Sequence, residues 1–226
     1  ALVKGDIGLT WSGFRPSDDA CTYGYLIPSN MFAVIVLGYL EEIEKIVYHS
    51  EQMQTEAACL RQQIEEGIGR YGIVETEDFG KIYAYEVDGF GQYNLMDDAN
   101  IPSLISLPYL GYRGDAEVIR NTRRFILSEA NPYYYRGKFS CGIGSPHTPV
   151  RHVWQLALIM QGMTSADERE REDILRMLSE TDAGTGLMHE SMHVDDPSRY
   201  TREWFSWANA LFCEWILEIC GYRIVK

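Results

Sequence analysis

Asn30-Met-Phe-Ala-Val-Ile-Val-Leu-Gly-Tyr-Leu40 is apolar at nearly every position. The stretch from Ser50 to Glu66 instead spaces Met53, Ala57, Leu60 and Ile64 three or four residues apart among Glu and Gln. The first pattern predicts a helix buried on every side, the second an amphipathic helix with one wet face. The alternation then recurs. Thr148-Pro149 reads as an N-cap and first turn for an apolar helix over 150–160 that ends at Gly162. Ser165-Ala-Asp-Glu168 reads as a capping box opening a charged helix over 168–180, with Ile174, Leu175, Met177 and Leu178 as its apolar positions. Asp196-Pro197 then caps a long segment through Trp204, Phe205, Trp207, Leu211, Phe212, Trp215 and Ile216, apolar on nearly all faces and read as buried core. Buried helix, surface helix, buried helix is the order expected when helical hairpins close into a two-layer ring. Lys81 to Asp88 alternates with period two and runs into Gly89-Phe-Gly91, which predicts a short strand or hairpin. The fold class is mainly α with a little β, in one domain over 1–226.

Composition narrows the partners. The chain has 46% hydrophobic residues, 12% aromatic residues and a formal net charge of -13. That is globular in character, and the negative balance repels phosphate backbones and anionic membranes. Nucleic acid and membrane are therefore not expected as partners, whereas a neutral ligand such as a sugar is compatible. Five cysteines, widely spaced and without a C-x-x-C pair, read as free buried thiols in a reducing compartment, and hence a cytoplasmic location. No signal peptide and no apolar run of membrane-spanning length is present.

Chemistry-bearing residues concentrate in the loops that lead into the apolar helices. Trp11 to Ala20, Asp88 to Asn100, Cys141 to His147 and Gly186 to Asp196 carry carboxylates, aromatic rings, Arg and His together. Aromatic faces stack on sugar rings while Asp, Asn and Arg bond their hydroxyls. Trp11 and Phe14, in a glycine-containing loop, suit the stacking part. Glycoside hydrolysis needs two carboxyl groups, and in an inverting enzyme they stand roughly 6.5–9.5 Å apart so that a water fits between sugar and base. Plainer readings exist for each residue. Asp18 and Asp19 suit a cap on a helix after Pro16, as do Asp97, Asp98, Asp195 and Asp196 at their own turns. Glu190, set between His189 and His193, suits a structural hydrogen-bond network. His189-Glu-Ser-Met-His193 also satisfies the H-E-x-x-H zinc pattern, but that motif works from a helix, and here Gly184, Gly186 and Asp196-Pro197 flank it with turn formers. Asp97-Asp98-Ala-Asn lacks the further Asp of a magnesium-binding motif. No metal and no cofactor is expected.

Taken together, Trp11-Ser-Gly-Phe-Arg-Pro-Ser-Asp-Asp19, Tyr93-Asn-Leu-Met-Asp-Asp-Ala-Asn100, Gly142-Ile-Gly-Ser-Pro-His-Thr-Pro149, His189-Glu-Ser191 and Tyr200-Thr-Arg-Glu-Trp-Phe-Ser-Trp-Ala-Asn209 resemble glycoside hydrolase family 125 over essentially the whole chain. The resemblance implies a metal-independent, inverting exo-α-1,6-mannosidase on an (α/α)6 toroid, of which this chain supplies about three helical hairpins. Its ligand would be a mannose-containing oligosaccharide or N-glycan. Family members run about twice this length, so the resemblance implies a C-terminal half, with the N-terminal half a possible partner. A non-catalytic carbohydrate-binding fragment is the alternative, and a sugar isomerase using His147, His189 and His193 a third reading. By motif, Asp18 is the implied general acid, with Asp19 its rival and otherwise a sugar contact. Glu190 is the implied general base, with Glu203 as substitute. Arg15, Asp97, Asp98, Asn100, His147 and Arg202 are the implied pocket residues beside Trp11.

Overall fold

The computed structural model describes residues 2–222, in two compact units: 2–96 with 102–125, and 97–101 with 126–222. Seven α-helices lie among the described residues: α1 (Ile27–Ile43), α2 (Glu51–Tyr71), α3 (Leu107–Leu110), α4 (Ala116–Ile126), α5 (Gln155–Met163), α6 (Glu168–Glu180) and α7 (Ser206–Ile219). Short strands join them: β1 (Tyr25–Leu26), β2 (Ile73–Thr76), β3 (Gly80–Tyr83), β4 (Glu86–Val87), β5 (Tyr93–Asn94), β6 (Tyr134–Arg136), β7 (Cys141–Ile143), β8 (His152–Val153), β9 (Ser191–His193) and β10 (Asp196–Thr201). The chain is mainly helical, as expected, with more β structure than the single predicted hairpin.

In the first unit, α1 and α2 pack as a helical hairpin. Pro28 fits the first turn of α1, where its missing N–H costs nothing. The Ser50 hydroxyl caps α2 by accepting from the Met53 amide at 3.3 Å. Ala57, Ile64, Gly67 and Ile68 form the buried face of α2, whereas Met53 and Leu60 are exposed. Helix α1 is not buried on every side: Met31 and Val34 are covered, but Phe32, Val36, Tyr39 and Ile43 face outward. Sequence hydrophobicity alone could not reveal this, because it counts residues and not the neighbours available to cover them. Two β arrangements accompany the hairpin. β2 and β3 pair antiparallel, and β1, β4 and β5 form a sheet with β4 in the middle.

In the second unit, α5 packs against both α6 and α7. Six of its nine residues from Gln155 to Met160, together with Gly162, are buried, which bears out the expectation of an enclosed helix. Each large apolar side chain so enclosed contributes roughly 1.5–3 kcal/mol. Its start differs from the reading. Thr148-Pro149 lies in a turn and β8 follows, so the helix begins only at Gln155. The Thr148 hydroxyl instead accepts from Trp154 Nε1 at 2.9 Å. Helix α6 spans its predicted range with Ile174 and Leu178 buried, but Asp167 is the cap, accepting from the Arg169 amide at 2.9 Å. Asp196-Pro197 does not open a helix. It starts β10, which pairs with β9 to form a sheet with β8, and α7 begins ten residues later at Ser206. Trp204 and Trp207 are 64% and 57% exposed in place of core, because only the stripe Ala208, Leu211 and Trp215 of α7 turns inward.

The five cysteines are unpaired as expected, although Cys59, Cys213 and Cys220 are exposed and Cys21 and Cys141 half-buried, so the thiols are free but not buried. No described helix is long and apolar enough to cross a membrane.

Candidate active site

Two regions carry the predicted residues, one in each unit. In the first unit the segment from Thr10 to Ala20 is tied to α1 through Asn30. That side chain is buried; its oxygen accepts from the Thr10 amide at 2.7 Å and its nitrogen donates to the Thr10 carbonyl at 3.1 Å. The Trp11 ring that follows is 63% exposed, with one edge laid over Gly24. A Cβ on Gly24 would stand 2.4 Å from Trp11 Nε1, so glycine is what lets the ring lie there. Phe14 is exposed beside it in sequence.

No helix follows Pro16, so Asp18 and Asp19 cap nothing of that kind. The Arg15 amide donates to the Asp19 carbonyl at 2.8 Å, the Asp18 amide donates to the Arg15 carbonyl at 3.0 Å, and Phe14 bridges Ala20. The loop is a turn closed on itself. Asp18 sits at its tip with φ of 68°, a left-handed conformation that a non-glycine residue adopts at a cost, Asp more readily than most. Backbone strain of this sort collects at functional positions. Asp18 is exposed and Asp19 half-buried. Arg15 is buried beneath, its Nε donating to Glu86 Oε1 at 2.7 Å and its guanidinium over the Tyr85 ring.

In the second unit Glu190 immediately precedes β9. It is only 5% exposed, and its Oε1 stands 3.1 Å from Arg202 Nε. Its amide donates to the carbonyls of Thr201 at 3.2 Å and Arg202 at 3.4 Å, so β10 and its end position both backbone and carboxylate. Arg202 carries a left-handed φ of 44°, a second strained residue at a predicted position. Glu203, the substitute, has an exposed side chain.

Behind Glu190, His189 is fully buried and stacked on Tyr200 with ring centroids 3.9 Å apart. Its Nδ1 faces the Glu203 carbonyl at 2.5 Å and its Nε2 the Asp182 carbonyl at 3.1 Å, while its amide donates to Gln155 Oε1. Both ring nitrogens are thus directed at backbone oxygens, and the motif runs into a strand. The geometry a helical H-E-x-x-H site needs is not formed, and His189 instead anchors the strand that carries Glu190. His193 lies edge-on to His152, 5.3 Å between centroids; the Asp195 amide donates to its Nδ1, and burial first and Arg199 next hold its pKa below the usual value.

Asp97, Asp98 and Asn100 are buried. The Asn100 amide donates to Asp98 Oδ1 at 3.4 Å, the Asp97 amide to Asn131 Oδ1 at 3.3 Å, and the Ala99 amide to the Gly144 carbonyl at 3.2 Å. The structure therefore joins this motif to the one that carries His147. His147 is exposed, its ring 6.3 Å from Trp154. Reading the sequence missed Glu86, Gln155 and Asn209. The last clamps Met188 at both ends, accepting from its amide at 3.1 Å and donating to its carbonyl at 2.7 Å. An acid set between Tyr85 and Val87 in a period-two run was the available signal for Glu86.

A mainly helical chain whose loops combine exposed aromatic rings with carboxylates held in place by arginine and backbone has the makeup of a glycoside hydrolase. The family model for metal-independent α-mannosidases (GH125) matches residues 1–217, and the chain belongs to that family. The Meiotically up-regulated gene 157 protein of Schizosaccharomyces pombe (strain 972 / ATCC 24843) is 48% identical over 219 residues, 96% of this chain and 43% of its own length. A solved structure of a Streptococcus pneumoniae protein from a family of metal-independent α-mannosidases, in a non-productive complex with α-1,6-mannobiose, superposes with a TM-score of 0.95 at 50% identity. It covers 99% of this chain and 53% of that one. The chain thus spans about half the length of the relatives it matches.

Proposed function

We propose that the chain carries the acid and base of an inverting exo-α-1,6-mannosidase acting on mannose-terminated oligosaccharides. Asp18 would protonate the glycosidic oxygen as the bond to the anomeric carbon breaks. Glu190 would take a proton from the water that attacks that carbon from the opposite face, releasing β-mannose. The observation that carries this reading is the pair of held carboxyl loops within a GH125 chain: Asp18 at a strained, self-closed turn, and Glu190 buried against Arg202 and clasped by two backbone carbonyls. The linkage comes by similarity to the protein bound to α-1,6-mannobiose. Trp11 supplies the stacking face, with Asp19, Arg202 and His147 as further sugar contacts; Arg15, Asp97, Asp98 and Asn100 serve the site from buried positions. The toroidal arrangement belongs to the same proposal, supported by the helical hairpins and by the outward apolar residues of α1 and α7, which a further half-ring would cover. So does a reducing, cytoplasmic setting, supported by the unpaired cysteines.

Incubation with α-1,6-mannobiose in the presence of chelator, with the anomer followed by NMR, tests the reading. β-Mannose is expected from the wild type, with loss of turnover by orders of magnitude and little change in affinity for Asp18→Asn and Glu190→Gln. Release of α-mannose would overturn the inverting mechanism. Binding without release would assign the chain a carbohydrate-binding role instead.

A further inference from the structure

Glu86 is a fully buried carboxylate on the central strand of the β1–β4–β5 sheet. Ionised groups are rarely found so deep unless every charge is answered. Here Oε1 accepts from Arg15 Nε at 2.7 Å, and Oε2 accepts from the backbone amides of Thr22 at 3.0 Å and Tyr23 at 3.2 Å. Asn94, its register partner on β5, stands at 3.5 Å. These donors lie on both sides of the turn that presents Asp18: Arg15 before it, Thr22 and Tyr23 after it. Arg15 in turn holds the loop through its own backbone, as donor to Asp19 and acceptor from Asp18. Cys21, between the two anchor points, has its thiol pushed up to about 11 by burial first and then by the Glu86 charge.

We propose that Glu86 is a positioning residue for the candidate acid, a buried clasp that closes both ends of the Phe14–Ala20 turn through Arg15 and the Thr22 and Tyr23 amides and so keeps Asp18 in its left-handed conformation. This rests on the assignment of Asp18 as the acid. A buried ion pair is a poor device for stability alone, since well-packed apolar residues of the same volume commonly do as well or better. What a carboxylate offers here, and an apolar side chain does not, is the simultaneous capture of a guanidinium and two backbone amides that converge from separate stretches of chain.

Glu86→Gln keeps the shape and removes the charge. Amide hydrogen exchange and mannobiose kinetics are to be measured on this variant, on Asp18→Asn and on the wild type. Arg15→Lys serves as a second variant that removes the Nε bond while leaving Glu86 with its backbone donors. Exchange at Arg15, Asp18, Thr22 and Tyr23 is expected to rise at least about tenfold in Glu86→Gln, the factor for loss of a charge-assisted hydrogen bond. The β2–β3 ladder should stay protected, and kcat should fall by about the same factor with KM nearly unchanged. Arg15→Lys should loosen Arg15 and Asp18 but spare Thr22 and Tyr23. Exchange that rises evenly across the unit, or not at all, would overturn the clasp. A loosened loop with unchanged kcat would overturn the positioning role. Full activity in Asp18→Asn, or an inactive wild type, would instead sink the acid assignment, and the exchange pattern, which needs no turnover, would still read the clasp.

Discussion

Two glycine-to-alanine substitutions in helices should have opposite signs, and the structure says why. Alanine in a helix gains up to about 1 kcal/mol over glycine from backbone entropy. At Gly38 of α1 nothing opposes that gain, because the nearest atom to an added Cβ is Arg61 Cδ at 4.0 Å. At Gly162 of α5 the added Cβ would meet Trp215 Cη2 at 2.2 Å, Cζ2 at 2.5 Å and Cζ3 at 3.0 Å. Carbon atoms prefer roughly 3.5–4.0 Å, so the ring or the helix must move by more than an ångström. Trp215 is fully buried, and its ring is rigid and planar. Overpacking of this kind costs typically 1–3 kcal/mol, and the rigid neighbour places Gly162→Ala near the upper end, a net loss of about 2 kcal/mol after the helical gain. With a urea dependence of about 1–3 kcal/mol per molar, the midpoint should fall by about 1 M for Gly162→Ala and rise by a few tenths for Gly38→Ala. Urea titration followed by tryptophan fluorescence reads both. A Gly162→Ala midpoint equal to or above that of the wild type would refute the packing of Trp215 of α7 on Gly162 of α5.

Gly24→Ala should change the unfolding free energy by no more than about 0.5 kcal/mol, since the exposed Trp11 ring and the Val3 side chain it would meet can both give way, yet weaken mannobiose binding by the ~0.5–1.5 kcal/mol of a lost aromatic contact. Titration calorimetry checks this, and unchanged affinity in both Gly24→Ala and Trp11→Ala would remove Trp11 from the site. Asp195 is held below the usual 3.8 by its hydrogen bond from Arg151 and by the Lys138 amide. Its folded pKa is the lower one, so its contribution to stability is present above the unfolded pKa and is lost as pH falls through the folded value. Asp195→Asn should therefore lower the melting temperature above about pH 4 and converge on the wild type as the pH falls below it, which flattens the acid limb of the profile. Asn209→Ala removes both bonds to Met188 and should cost about 1–3 kcal/mol, seen as a lower urea midpoint, with kcat falling because the strand entry before Glu190 loosens. A stable Asn209→Ala protein of unaltered kcat would show that Glu190 needs no support from α7.

Much of the helical content was legible because apolar spacing marks where helices form, although in α1 and α2 it did not say which of those apolar residues would be covered. Glu168–Glu180 has its predicted bounds, and the enclosed α5 was marked by a largely apolar run. The boundaries that failed did so where a turn former had two uses. Thr148-Pro149 and Asp196-Pro197 look like helix caps from their local chemistry, but pairing with distant partners turned the following residues into β8 and β10. Trp204 and Trp207 failed for a related reason, since a side chain's apolarity does not say which face of its helix finds a neighbour.

The sequence by itself determined that the chain is mainly helical, acidic and rich in motif loops, because composition and short-range spacing carry that information, while Asp18, Glu190 and Arg202 were marked by the resemblance of those loops to glycoside hydrolase family 125. Only the tertiary structure decided how they are held. The Arg202 pairing with Glu190, the hold of Gln155 on the His189 amide and the Glu86 clasp beneath the Asp18 turn depend on contacts between residues twelve, thirty-four and seventy-one positions apart. Such contacts form when distant segments are brought within the three ångströms or so over which a hydrogen bond acts, and no local pattern in a chain encodes that meeting.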